Sequence, residues 1–110
     1  MPLSEKVRIE LFIPDLPDPI YSTVLDRLGD ELSYAFGGCT VVPALGKYRS
    51  QSGLILPDKI NILFTDTAFD WRKDQEVIGR YADELQDAVR RALENEEAIL
   101  VSAYEVTHSE

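Results

Sequence analysis

Apolar residues recur along this chain with a period that switches between two and about 3.6 residues, and the order of those switches restricts the fold more than any other feature. Val7, Ile9, Leu11 and Ile13 alternate with Arg8, Glu10 and Phe12, the pattern of a half-buried strand. Pro14 and Pro17 end it. Asp18 then precedes Pro19, an opening in which a carboxylate caps free N–H groups and proline fits the first turn of a helix. Ile20, Val24, Leu25, Leu28, Leu32, Ala35 and Phe36 follow at helical spacing, and Gly37-Gly38 supplies a left-handed stop. These signals predict one helix of about 18 residues.

A second strand runs from Thr40 towards Tyr48 with Pro43 inside it. Proline has no N–H to give a ladder, so this strand belongs at a sheet edge or carries a bulge. Lys47 to Gly53 reads as a polar connection. Ile60, Ile62 and Phe64 alternate with Asn61, Leu63 and Thr65 in a third strand, with the more apolar set expected to face inward. Asp70 to Asp74 opens a second helix whose apolar stripe includes Val77, Ile78, Tyr81, Leu85, Val89 and Leu93. Asn95 and the acids after it stop that helix, and Ala98 to Val106 forms a fourth strand.

The order is therefore β-α-β-β-α-β. With right-handed crossovers its compact solution is an α+β, ferredoxin-like split βαβ sheet, four strands in the order 4-1-3-2 with both helices on one face. The second strand then falls at an edge, where Pro43 is tolerable. One domain spanning 1–110 is expected.

Charge narrows the partners. Eleven Lys+Arg against twenty Asp+Glu leave a net charge of −9. A chain this acidic repels nucleic acid unless it gathers its cations in one place. Leu32 to Pro57 contains no Asp or Glu and carries Lys47 and Arg49, which fits a buried strand and its turn. No 18-residue apolar run is present, so no membrane span is expected. The first residues lack an apolar run and a cleavage site, so a cytoplasmic location is expected. Cys39 and His108 are the sole cysteine and histidine, too few for a disulfide or a Cys/His metal site, and no cofactor is implied.

If the alternating sets face the helices as assigned, the other side of the sheet presents Phe12, Leu63, Leu100, Tyr104 and Val106 among Arg8, Glu10, Asn61 and Thr65. A contiguous mixed patch of that kind predicts a homodimer with sheets facing across a two-fold axis, its polar residues lining a pocket between subunits. Arg8 and Glu10 would neighbour Asn61, Thr65 and Tyr104. A partly enclosed Glu10 gives a general base if desolvation raises its pKa, whereas a cross-strand ion pair is the simpler account.

The segment Gly46-Lys47-Tyr48-Arg49-Ser50-Gln51-Ser52-Gly53 is the second candidate. Lys47 and Arg49 are cationic donors, Tyr48 a stacking surface, and Ser50, Gln51 and Ser52 neutral hydrogen-bonding groups. It lacks the Walker pattern. Alternation sends Lys47 and Arg49 to one face and Tyr48 to the other. Gly38-Cys39-Thr40-Val41-Val42 followed by Gly46-Lys47-Tyr48-Arg49 carries the pattern G-x-T-V-[apolar]-x-x-x-G-x-[aromatic]-R. With Arg8-Ile9-Glu10-Leu11 in the first strand, this resembles a family of small uncharacterised bacterial proteins. The resemblance implies a ferredoxin-like fold and no particular chemistry.

Other oxygen-rich positions have simpler explanations: a turn at Asp66 and helix capping by Asp70. Trp71 is expected at the helix entrance, Cys39 as a small buried hydrophobe, and His108 in a disordered end. The function expected is that of a non-catalytic homodimer binding a small anionic or polar ligand, or a partner protein, through the open sheet face and the 47–53 loop. The alternative is an enzyme of the dimeric α+β barrel type using Glu10 or Tyr104.

Overall fold

A computed structural model of the chain describes residues 3–94 and 99–109. Six elements follow one another: β1 (Leu3–Pro14), α1 (Pro19–Phe36), β2 (Thr40–Arg49), β3 (Ile55–Thr67), α2 (Gln75–Ala92) and β4 (Leu100–Ser109). The sheet is antiparallel throughout, in the order β2-β3-β1-β4. This is the expected ferredoxin-like arrangement read from the opposite edge, with Pro43 on the edge strand β2. The expected stop at Asn95 and strand start at Ala98 lie outside the described residues.

Helix α1 begins and ends where its signals stand. Asp18 Oδ1 accepts from the Ile20 N–H at 3.0 Å, with Pro19 in the first turn. Gly37 takes φ 91°, and its N–H reaches the Ser33 carbonyl at 2.8 Å. No atom outside the chain neighbours would meet a Cβ there, so the left-handed backbone alone favours glycine. Helix α2 starts later than expected. Asp70 instead caps the turn before it, Oδ1 accepting from the N–H groups of Arg72 and Lys73 at 3.0 and 2.9 Å. Those two donors hold the Asp70 carboxyl below its usual range, the Lys73 N–H most strongly.

The core lies between one sheet face and the two helices. Val7, Ile9, Leu11 and Ile13 of β1 are buried there, with Val24, Leu28 and Leu32 of α1 and Ile78, Leu85 and Val89 of α2. Here the structure corrects the expected parity of β3. Ile9 pairs with Thr65, Leu11 with Leu63 and Ile13 with Asn61, and directly paired residues share a face. Asn61, Leu63 and Thr65 therefore lie on the helix side, Leu63 with no exposed surface. Ile60, Ile62, Phe64 and Asp66 occupy the open side. β3 is flanked by strands on both edges and carries apolar residues on both faces, so counting them could not choose a face.

The buried threonines on the inner side are satisfied by backbone oxygens. Thr65 Oγ1 donates to the Gly38 carbonyl at 2.6 Å, and Thr67 Oγ1 to the Val7 carbonyl at 2.9 Å. Thr67 also accepts from the Phe69 N–H at 3.2 Å. These bonds remove the penalty that buried hydroxyls otherwise carry.

The expected polar connection at 47–53 is also corrected. Lys47, Tyr48 and Arg49 are ladder residues, paired with Pro57, Leu56 and Ile55. The β1 ladder ends at Pro14 and Ile60, so β2 and β3 run beyond it as a two-stranded arm. That leaves one edge of β3 free at Pro57, where a missing N–H is tolerated. The turn is confined to residues 50–54: the Ser50 N–H reaches the Leu54 carbonyl at 2.8 Å, and Gly53 adopts φ 87°. Ser50 and Ser52 share a hydrogen bond of 2.8 Å across it. The molecule is elongated, 49 Å along its longest axis.

Candidate functional site

The open face of the sheet divides into an apolar half and a polar half. Register places Phe12 beside Ile62 and Leu100, and Ile62 beside Val42, at the arm-proximal end. Leu100 is 54% exposed. No described helix covers this half.

The polar half is a chain of contacts across three strands. Arg8 on β1 faces Asp66 on β3, its Nε at 2.7 Å from Oδ1 and Nη2 at 3.0 Å from Oδ2. This two-pronged geometry matches a planar guanidinium to a carboxylate. The Arg8 Cζ also lies 4.2 Å from the centre of the Phe64 ring, a cation–π contact on the same face. His108 Nε2 on β4 reaches Asp66 Oδ2 at 3.0 Å. On the other side of Arg8, the Tyr104 hydroxyl donates to the Glu10 carboxylate.

Each titration shift has a visible cause. The hydrogen bonds from Arg8 hold the Asp66 carboxyl below the usual carboxylate range, with His108 adding a smaller effect in the same direction. Asp66 in turn keeps the Arg8 guanidinium charged. Bonding to Glu10 raises the Tyr104 phenol, so it stays protonated as a donor. Besides Glu10, which accepts from Tyr104, this face carries Lys6, Thr40 and Ser102 as further polar groups.

The sequence places Arg8, Glu10, Phe12 and Tyr104 together on this face, and the register does the same. Asn61, Leu63 and Thr65 are not part of it. Asp66, Phe64 and His108 join it unexpectedly. The sequence suggests a turn at Asp66 and a disordered end at His108, yet both sit in strands. Counting β3 in register with Arg8 is the signal that finds Asp66. Lys47, Tyr48, Arg49, Ser50 and Gln51 lie on the arm and its turn, apart from the polar network, with Lys47 and Arg49 on one face and Tyr48 on the other.

Among the described residues no group of three or more His, Cys, Asp or Glu side chains is arranged to hold a metal ion. Burial pushes the half-buried Cys39 thiol up, away from its reactive form. Trp71 is half-buried ahead of α2. No described helix is long and apolar enough to cross a membrane.

The sequence matches no protein-family model and no curated protein. Solved structures share the fold. A phage SAM lyase in its apo state superposes with a TM-score of 0.58 at 12% identity, over 94% of this chain and 90% of that one. The divalent cation tolerance protein CutA1 of Thermus thermophilus gives 0.51 at 19% identity, over 92% and 82%. CPII, a nitrogen regulatory PII-like protein of Thiomonas intermedia bound to ADP, AMP and bicarbonate, gives 0.50 at 13% identity, over 99% and 100%. At these identities the likeness establishes the ferredoxin-like fold and leaves the chemistry to the site.

Proposed function

We propose that this protein is a self-associating, non-catalytic ligand-binding domain, at least a homodimer, that closes its open sheet face against another copy. The observation that supports this reading is the face itself. An uncovered apolar half built on Phe12, Ile62 and Leu100 adjoins a polar half whose side chains already hold one another in place. Apolar surface of this extent favours burial against a complementary surface. Two-fold pairing places the same patch on both sides, and the polar halves then line the space between.

The ligand class is a small polar molecule with a flat apolar part. Phe12 and Phe64 give a surface to stack on, and Glu10 and Ser102 give an acceptor and a hydroxyl on the same side. Adenosine derivatives are the first to test, since two of the similar folds hold them: CPII carries ADP and AMP, and the phage SAM lyase has been solved with S-methyl-5′-thioadenosine. Light scattering on a sizing column gives the mass, and thermal shift against nucleosides, nucleotides, organic acids and divalent cations gives the ligand. A 12.4 kDa species at micromolar concentration overturns the assembly, and a flat thermal response to the whole panel overturns the ligand reading.

The hydrogen bond between Tyr104 and Glu10 favours a second reading, an enzyme that uses this pair as a proton-transfer couple in the closed space. Bound ligand recovered chemically unchanged after prolonged incubation rejects it.

A further inference from the structure

The pairing of β2 with β3 gives the arm two unlike faces. Leu45 pairs with Lys59, Lys47 with Pro57 and Arg49 with Ile55, so these residues share one side. That side carries three cations and no carboxylate; Asp58, the arm's acid, pairs with Gly46 on the other. Leu45 is 67% exposed and Ile55 62%. Lys47 and Arg49 form no ion pair among the described residues. On a chain of net charge −9, this is a cationic and apolar ribbon held away from the body.

Its complement is a groove in the helix layer. Helices α1 and α2 leave an open groove of about 500 Å³ between them. Val24, Leu28, Leu85 and Val89 supply its apolar lining, and Glu31 and Glu84 line it from the two helices. Burial raises the Tyr81 phenol and both carboxylates raise it further, and all three groups line the groove. The Tyr81 hydroxyl oxygen is buried with no hydrogen-bond partner among the described residues. Arg27 is the groove's one cation among the described residues. Within a chain β2 pairs with β3 along its whole length.

We infer that the cationic face of the arm docks in the α1–α2 groove of a second copy of this chain. Leu45 and Ile55 meet the aliphatic lining, while Lys47 and Arg49 meet Glu31 and Glu84. The contact is heterologous, joining two different surfaces of one chain, and is separate from pairing through the open sheet face. Opposite charges on both partners make it weaken with salt.

The test mixes unlabelled and 15N-labelled full-length protein and couples them with a carbodiimide. This reagent condenses a lysine amine with a carboxyl group to an amide and takes up the water released. Mass spectrometry is expected to find Lys47 joined to Glu31 or Glu84 in peptides carrying one label each, with a yield that falls several-fold at high salt. A Phe12→Asp background keeps open-face pairing out of the measurement, so failure of this contact and failure of the proposed assembly are separable. In that background, Lys47→Glu with Arg49→Glu weakens self-association by about tenfold, as does Glu31→Lys with Glu84→Lys. Combining the four restores it to within a few-fold. Links confined to single chains, links from Lys47 to carboxylates outside the two helices, an absence of links, or no recovery in the combined variant each overturns the inference.

Discussion

Arg8 and Asp66 stand directly opposite one another on β1 and β3, 58 residues apart in sequence, and meet through two hydrogen bonds of 2.7 and 3.0 Å. Both side chains keep about a fifth to a quarter of their surface in solvent, at 24% and 21%. The pair is therefore screened yet geometrically fixed, and it ties the middle of the sheet together. Asp66→Asn and Arg8→Ala are each expected to cost about 1–2 kcal/mol in urea denaturation. The double variant should lose less than the sum, because each single change already breaks the same contact.

The same pair sets an acid limit. Folding lowers the Asp66 pKa, so its contribution is present above the unfolded value of about 3.9 and disappears as pH falls through the folded value. Between about pH 5 and 2, wild type should lose stability faster than Asp66→Asn, and the two curves should converge at the acid end. Denaturation midpoints measured across that range check the sign; parallel curves would contradict it.

Thr67 illustrates what periodicity could and could not reveal. The strand order, the α1 limits and the faces of β1 and β4 follow from local features: Asp18-Pro19, Gly37 and clean alternation. The β3 face does not, because Thr65 and Thr67 are polar by composition and buried by partnership. Their partners, Gly38 and Val7, are 27 and 60 residues away, so no sequence window contains the reason. The polar network is hidden for the same cause, since Asp66 resembles a turn residue unless its register with Arg8 is known. Thr67→Val, close in shape, leaves the Val7 carbonyl and the Phe69 N–H without their bonds to this side chain. A loss of about 1–3 kcal/mol is expected by thermal or urea unfolding, against a few tenths for Thr107→Val on the exposed part of β4.

Gly37 isolates a backbone effect. Its φ of 91° lies in the left-handed region, and a Cβ there meets nothing within 4 Å. Gly37→Ala should therefore cost about 1–2 kcal/mol through backbone strain alone. Gly29, in the middle of α1 and equally open, should gain up to about 1 kcal/mol on the same substitution. Opposite signs from two alanine substitutions on one helix are the result to look for in paired melting curves.

Leu63 and Ile62 are neighbours in sequence and opposite in consequence. Leu63 has no exposed surface and packs in the helix-side core, while Ile62 lies half-buried on the open side beside Phe12. Leu63→Ala removes a filled volume between sheet and helices and should cost about 2–5 kcal/mol. Ile62→Asp places a charge on a face the isolated chain leaves in water, so circular dichroism and melting should stay close to wild type. What Ile62→Asp should change is mass. Two-fold pairing brings the new carboxylate towards its own copy and buries both, a cost that the apolar contact cannot offset. Sedimentation of Ile62→Asp should show a folded species of lower mass than wild type. If Ile62→Asp unfolds the protein while Leu63→Asp leaves it folded, the two faces have been interchanged, and the surface assigned to self-association is the core.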